Sequence, residues 1–79
     1  MEDTVLYETN EFNDAYAHAI LSEVAESLKE RGYNPINQIT GYLMSGDPGY
    51  ISSYKEARSK LMQIERSKLL ELLVKNYIK

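Results

Sequence analysis

One histidine, His18, follows Asp14 by four residues. At that spacing two side chains share a helix face and could hold a metal ion together. A closed site needs further donors, and the chain has no cysteine and no second histidine. His18 is therefore expected to be an ordinary solvent-facing or half-buried side chain. Glu23, Glu26 and Glu30 read as a solvated helix face rather than a general acid and base, since nothing in the sequence places them in a pocket. Gly41, Gly46 and Gly49 lack the Lys-Ser/Thr of a phosphate-binding loop and follow no expected strand, and Ser45 lies in Met44-Ser45-Gly46 rather than G-x-S-x-G. The expectation is a protein that is not an enzyme, with no catalytic residues, no metal and no cofactor.

The other chemistry on offer is charge. Residues 1–30 hold eight acids and one base, whereas residues 31–79 hold eight bases and four acids. Complementary halves, within a subunit or between subunits, are the simplest reading. Lys55, Arg58, Lys60, Arg66 and Lys68 keep open an alternative, a small helical nucleic-acid-binding module using the basic residues of 55–68. Glu56 and Glu65 dilute that patch and the acidic first third would compete with phosphates, so nucleic acid is disfavoured. Seven of the eight aromatics are tyrosines. Tyr33, Tyr42, Tyr50 and Tyr54 gather near expected turns, where packing with a hydrated hydroxyl is favoured over base stacking.

These side chains need elements to carry them. A chain of 79 residues, 43% hydrophobic, is one small domain. At this size only a little over ~60% of the unfolded surface is buried, so the core is marginal. Without disulfides, tight helical packing or oligomerisation must supply the remainder. No apolar run approaches the ~20 residues of a membrane span, and Met1-Glu2-Asp3 lacks the cationic start of a signal peptide. The expectation is a soluble, unprocessed, cytoplasmic protein without membrane insertion.

Residues 1–11 are acidic without a clear period and read as a flexible arm, with residues 12–79 as a single helical domain. Phe12, Tyr16, Ile20, Val24 and Leu28 recur every four residues, widened by Leu21 and Ala25, and predict a long helix stopping at Gly32. Asn34-Pro35 opens a second helix with Ile36, Ile39 and Leu43 on one face, ending near Ser45-Gly46. Asp47-Pro48-Gly49 is a turn signal. Ser53 to Glu56 has the form of a capping box, predicting a third helix from about residue 53 with a Tyr54, Ala57, Leu61 and Ile64 stripe. A break near Glu65-Arg66-Ser67 precedes a last helix, Leu69 to Ile78. Its apolar residues surround most of its circumference, more than one face can bury, which predicts a partner subunit contacting Leu69, Leu70, Leu73 and Tyr77. The fold class expected is all-α: a compact bundle of about four helices, homodimeric, with a mobile N-terminal arm.

The run Gly32-Tyr33-Asn34-Pro35-Ile36-Asn37-Gln38-Ile39, followed by Gly41-Tyr42-Leu43, Ser45-Gly46-Asp47-Pro48, Tyr50-Ile51, Tyr54 and Ala57-Arg58, resembles the IreB family, which includes YrzL-type proteins. The resemblance continues through Glu65-Arg66 and, at the front, through Asp3-Thr4-Val5. It implies a cytoplasmic regulatory phosphoprotein of Gram-positive bacteria, folded as a helical homodimer. It further implies a substrate of a transmembrane Ser/Thr kinase and its cognate phosphatase, acting through a downstream protein in cell-envelope stress and cephalosporin-resistance signalling. The position matching the family's Thr-Val phosphoacceptor is Thr4; Thr9 matches none. A phosphothreonine is recognised best by the planar fork of arginine, which makes Arg58 and Arg66, in the basic second half, the candidate phosphate-docking residues.

Overall fold

The computed structural model describes the backbone of residues 2–78 and the side chains of residues 14–78. Four α-helices follow one another: α1 (Glu2–Glu30), α2 (Pro35–Ser45), α3 (Ala57–Leu61) and α4 (Arg66–Ile78), with 3₁₀ turns at Pro48–Tyr50 and Tyr54–Glu56. Among the described residues there is no strand. The all-α bundle of four helices is thus as the sequence indicates.

Helix α1 is the spine. At ~1.5 Å per residue its 29 residues reach ~44 Å, which accounts for the long dimension of a molecule measuring 45 × 22 × 21 Å. It stops where expected: Gly32 takes φ +87°, its amide donates to Lys29 O at 2.9 Å, and the Tyr33 amide donates to Leu28 O at 2.9 Å. Left-handed geometry at the residue after a helix satisfies the last carbonyls, and glycine adopts it without a Cβ clash. At the front the helix begins at Glu2 rather than at Phe12, where the apolar period starts. The expected flexible arm over residues 1–11, Thr4 included, lies outside the described side chains.

The core lies against one stripe of α1. Ala17, Ile20, Val24 and Leu28 are buried against Tyr42 of α2, Ile51, Ala57 and Leu61 of the α3 region, Ile64, and Leu69 and Leu72 of α4. Tyr16, counted in the stripe from its spacing, is 44% exposed and reaches instead to Gln63, whose Oε1 accepts its hydroxyl proton. In α2 the buried residue is Tyr42, with Ile39 and Leu43 half-buried, while Ile36 points out. The spacing of Ile36, Ile39 and Leu43 identified a face, but α2 meets α1 along a strip rotated toward Tyr42.

The caps of α2 follow their sequence signals. Asn34 Oδ1 accepts from the Asn37 amide at 3.1 Å, Pro35 occupies the first turn, and Gly46 at φ +77° donates to Tyr42 O. Asp47 Oδ1 accepts from the Gly49 amide at 2.9 Å, forming the expected turn. The capping box does not form. Ser53 makes no side-chain cap bond, and Lys55 and Glu56 both lie in the left-handed region, at φ 51° and 63°. Glu56 so placed cannot reach back to Ser53, and α3 starts at Ala57. The chain break falls at Met62 to Glu65, so α4 begins at Arg66, ahead of the expected Leu69.

One close approach locks the α2–α3 connection. The Tyr50 ring lies on the backbone of α2 at Gly41, where an added Cβ would stand 2.6 Å from Tyr50 Cδ1. Alanine gains ~1 kcal/mol over glycine in a helix interior, but overpacking costs ~1–3 kcal/mol. Gly41→Ala is therefore expected to destabilise the native chain by roughly 1 kcal/mol, and to stabilise a Tyr50→Ala background by a similar amount. Urea unfolding of the four species of that cycle checks the change of sign.

Candidate functional site

The two candidate arginines are both anchored to backbone. Arg58 is the second residue of α3, and its Nε donates to Ile51 O at 2.8 Å. The Arg58 amide donates to Ser52 O at 3.1 Å, so the side chain and main chain of one residue hold the connecting loop. Arg66 opens α4, and its Nη1 donates to Leu43 O at 3.2 Å near the end of α2. The guanidinium lies against Gly46, where a Cβ would stand 2.7 Å from Nη1. Among the described residues no ion pair joins either arginine to a glutamate. A guanidinium has five N–H donors, and both residues are exposed, so each retains donors for an anion.

Lys55, Lys60 and Lys68 are already engaged. Lys55 Nζ stands 2.8 Å from Glu30, Lys60 3.7 Å from Glu23, and Lys68 3.6 Å from Glu71. Charge sorted along the chain becomes charge paired across it, which weakens a continuous phosphate-binding surface at 55–68. An open groove of about 560 Å³ runs between α1 and this region, with Glu23, Glu26 and Glu30 facing Lys29, Lys55 and Lys60. Its mixed charge favours neither a metal nor a nucleophile. Among the described residues no three His, Asp or Glu side chains are grouped to hold a metal ion. Asp14, the residue paired with His18 by spacing, is held by Lys75 of α4 at 2.8 Å.

Sequence spacing gave no sign of the cluster around Tyr54. Its ring has the Arg31 guanidinium 5.1 Å from the centroid on α1's end and Lys55 Nζ at 5.7 Å, and its hydroxyl donates to Glu30 at 3.4 Å. Cations over an aromatic face are attracted to its quadrupole. These contacts favour the backbone that places Lys55 in the left-handed region. The only signal available beforehand was the concentration of tyrosines near the turns.

Helix α4 divides the four candidate interface residues, three leucines and one tyrosine. Leu69 is fully buried in the subunit's own core, with Leu72 beside it. Leu70, Leu73 and Tyr77 are exposed, together with Val74 and Ile78; Tyr77 is 92% exposed. Leu70 and Val74 line a broad open depression with Glu65, Lys68, Glu71 and Lys75 along it. No helix of the described residues is long and apolar enough to cross a membrane.

Comparison with known proteins gives a concordant result. A family model described as IreB regulatory phosphoprotein matches residues 2–79. A UPF0297 protein of Ruminiclostridium cellulolyticum is 45% identical over 78 residues, covering 99% of this chain and 89% of the relative.

The pair Glu30–Lys55 gives a pH signature. A hydrogen bond from Lys55 and its charge hold the Glu30 carboxyl below the usual glutamate range, and the same contacts raise Lys55 above the usual lysine range. A depressed carboxyl contributes stability above its unfolded pKa and loses it as pH falls through the folded value; a raised amine contributes below its unfolded pKa and loses it as pH rises through the folded value. The contribution is thus complete across neutral pH and fades at both extremes. Carbon-detected NMR titration should find Glu30 below the usual range in the native chain and returned to it in Lys55→Met.

Proposed function

The chain belongs to the IreB regulatory phosphoprotein family, and on that premise we propose that it works without catalysis, as a cytoplasmic regulator whose binding is switched by phosphorylation of Thr4. The kinase in this reading is a transmembrane Ser/Thr kinase opposed by its cognate phosphatase. The output is cell-envelope stress and cephalosporin-resistance signalling through a downstream protein. The observation that carries the reading is the family match over residues 2–79, which takes in Thr4. A short helix is marginal in water unless tertiary packing supports it. The proposed arm can therefore open to enter a kinase cleft at small cost.

The switch in this reading is electrostatic. Phosphorylation adds about −1.5 to −2 charges and three acceptor oxygens. The modified arm docks on Arg58 or Arg66, of its own subunit or a neighbour, using the guanidinium donors left over from Ile51 O and Leu43 O. Unmodified, the acidic arm samples the same surface, and the phosphate shifts that population. The protein is a homodimer in this proposal, built on α4 through Leu70, Leu73 and Tyr77, with Leu69 supporting the helix from inside.

Three experiments test these statements. Intact-mass and fragment analysis of protein from kinase-competent cells should find one phosphate on Thr4 and none on Thr4→Ala; modification confined to Ser52 or Ser53 would overturn the assignment. NMR relaxation should show residues 1–10 losing mobility on phosphorylation, and regaining it in Arg58→Ala or Arg66→Ala. For self-association, light scattering at micromolar concentration should report twice the 9.1 kDa subunit, with Leu73→Lys weakening the dimer by roughly 1–3 kcal/mol and Glu71→Lys leaving it within about 0.5 kcal/mol.

A further inference from the structure

Ser53-Tyr54-Lys55-Glu56 carries the S-x-x-E of a capping box, in which the first side chain accepts from the fourth amide and the fourth reaches back to the first. The structure leaves that box open. Neither Ser53 nor Glu56 makes a side-chain cap bond, and the Glu56 amide donates instead to Ser53 O at 2.9 Å. Among the described residues, Lys55 and Glu56 are the two that take positive φ while carrying a Cβ. Left-handed backbone is costly for such residues and persists only where surrounding contacts hold it. Here the contacts come from the end of α1. Lys55 Nζ lies 2.8 Å from Glu30, the Tyr54 hydroxyl donates to the same carboxylate at 3.4 Å, and the Arg31 guanidinium covers the Tyr54 ring.

We propose that residues 52–56 are a two-state switch: the left-handed turn exchanges with a helical form in which Ser53 and Glu56 close their box and α3 gains a first turn from Tyr54. Each form has its own support. The turn keeps the contacts to Glu30 and Arg31, whereas the helical form removes the left-handed cost at two residues and satisfies the first amides of α3. The Lys55 and Glu30 side chains are 53% and 52% exposed. Exposed ion pairs and cation–ring contacts are of the same order as the cost they offset here, so the two forms lie close in free energy. The ends of the segment stay in place in both, because Ile51 and Ala57 are fully buried.

The exchange reaches Arg58. Its amide donates to Ser52 O at 3.1 Å and its Nε to Ile51 O at 2.8 Å, so both bonds run across the segment that changes. With α3 begun at Tyr54, the regular helical pattern gives the Arg58 amide to Tyr54 O instead. Ser52 O is released, and the brace that Arg58 forms on this loop is remade. Lys55 leaves the Glu30 carboxylate at the same time. A molecule that engages Glu30 or Arg31 on α1 thereby alters how Arg58 is presented on α3, by favouring one of two existing forms. The switch requires neither phosphorylation of Thr4 nor self-association, so its failure and theirs are distinguishable.

The test is NMR of the full, unmodified chain. Residues 55 and 56 should show the strong amide-to-Hα contact within one residue that marks positive φ. Relaxation dispersion over 53–58 should report exchange with a minor form whose Cα shifts at 54–56 are helical. Glu30→Gln should raise the share of that form roughly threefold. Lys55→Met breaks the same pair from the other side and should act likewise, which guards against a folding defect in either variant. Ser53→Ala, added to Glu30→Gln, should lower the share again by roughly threefold or more, through loss of the cap. Glu56→Gly removes the left-handed cost and the box carboxylate together, and should suppress the exchange. Dispersion absent from the native chain and from both pair-breaking variants, or a minor form undiminished by Ser53→Ala or by Glu56→Gly, would overturn the proposal.

Discussion

Val24 and Leu28 are sealed from solvent on one stripe of α1, and every other element takes its position from that stripe. Tyr42, Ile51, Ala57, Leu61 and Leu69 converge on it from four separate segments. In so small a domain, net stability is the margin of order 5–15 kcal/mol between burial and chain entropy. Truncating one core leucine removes ~2–5 kcal/mol of it. Helices α3 and α4 are too short to persist alone; they exist because their inward residues reach α1. The charged rim follows from the same arrangement, with Glu30 to Lys55, Glu23 to Lys60 and Asp14 to Lys75 joining α1 to later segments. These pairs are largely exposed and add little energy individually, but they fix which way the outer surfaces face.

The connecting segment between α2 and α4 is held by polar bonds to backbone as well as by the burial of Ile51, Ala57 and Leu61. Arg58 takes Ile51 O, Arg66 takes Leu43 O, and Gln38 Oε1 accepts from the Ser52 amide. Each satisfies a backbone group that the irregular chain path leaves without a helical partner. Because arginine carries more donors than such a brace uses, the two residues that stabilise the loop also present cations at the surface. Structure and the proposed phosphate recognition draw on the same side chains, which makes Arg→Lys a poor conservative replacement at either position.

Among the described residues, α4 and α2 each turn apolar side chains outward. The outward surface on α4 comprises Leu70, Leu73, Val74, Tyr77 and Ile78, and that on α2 Ile36 and Met44 with Tyr50. A member of a regulatory phosphoprotein family acts on other molecules through its surface, so the separation of such faces bears on function.

The sequence by itself determined the helices whose ends are chemically marked. Asn34-Pro35, Gly46, Gly32 and the Asp47 turn were readable because their caps act within a few residues, and the four-residue period of Ile20, Val24 and Leu28 named the spine. The apolar excess of the last helix was also legible, as was the membership that the central block suggested. Tertiary structure alone decided which side chains of that excess are internal: Leu69 and Leu72 are buried in the core and Leu73 lies half out of it beside Ala17 and Leu21 of α1, while Leu70 and Tyr77 are exposed, a difference of helix rotation that composition cannot encode. It also overrode the Ser53 to Glu56 capping signal, since Tyr54, Arg31, Glu30 and Lys55 meet only when α1 and α3 are packed. Their contacts place Lys55 and Glu56 in a conformation that local propensity disfavours. Local chemistry sets where a helix can begin and end; contacts between residues distant in the chain set which face it buries and which local signals are set aside.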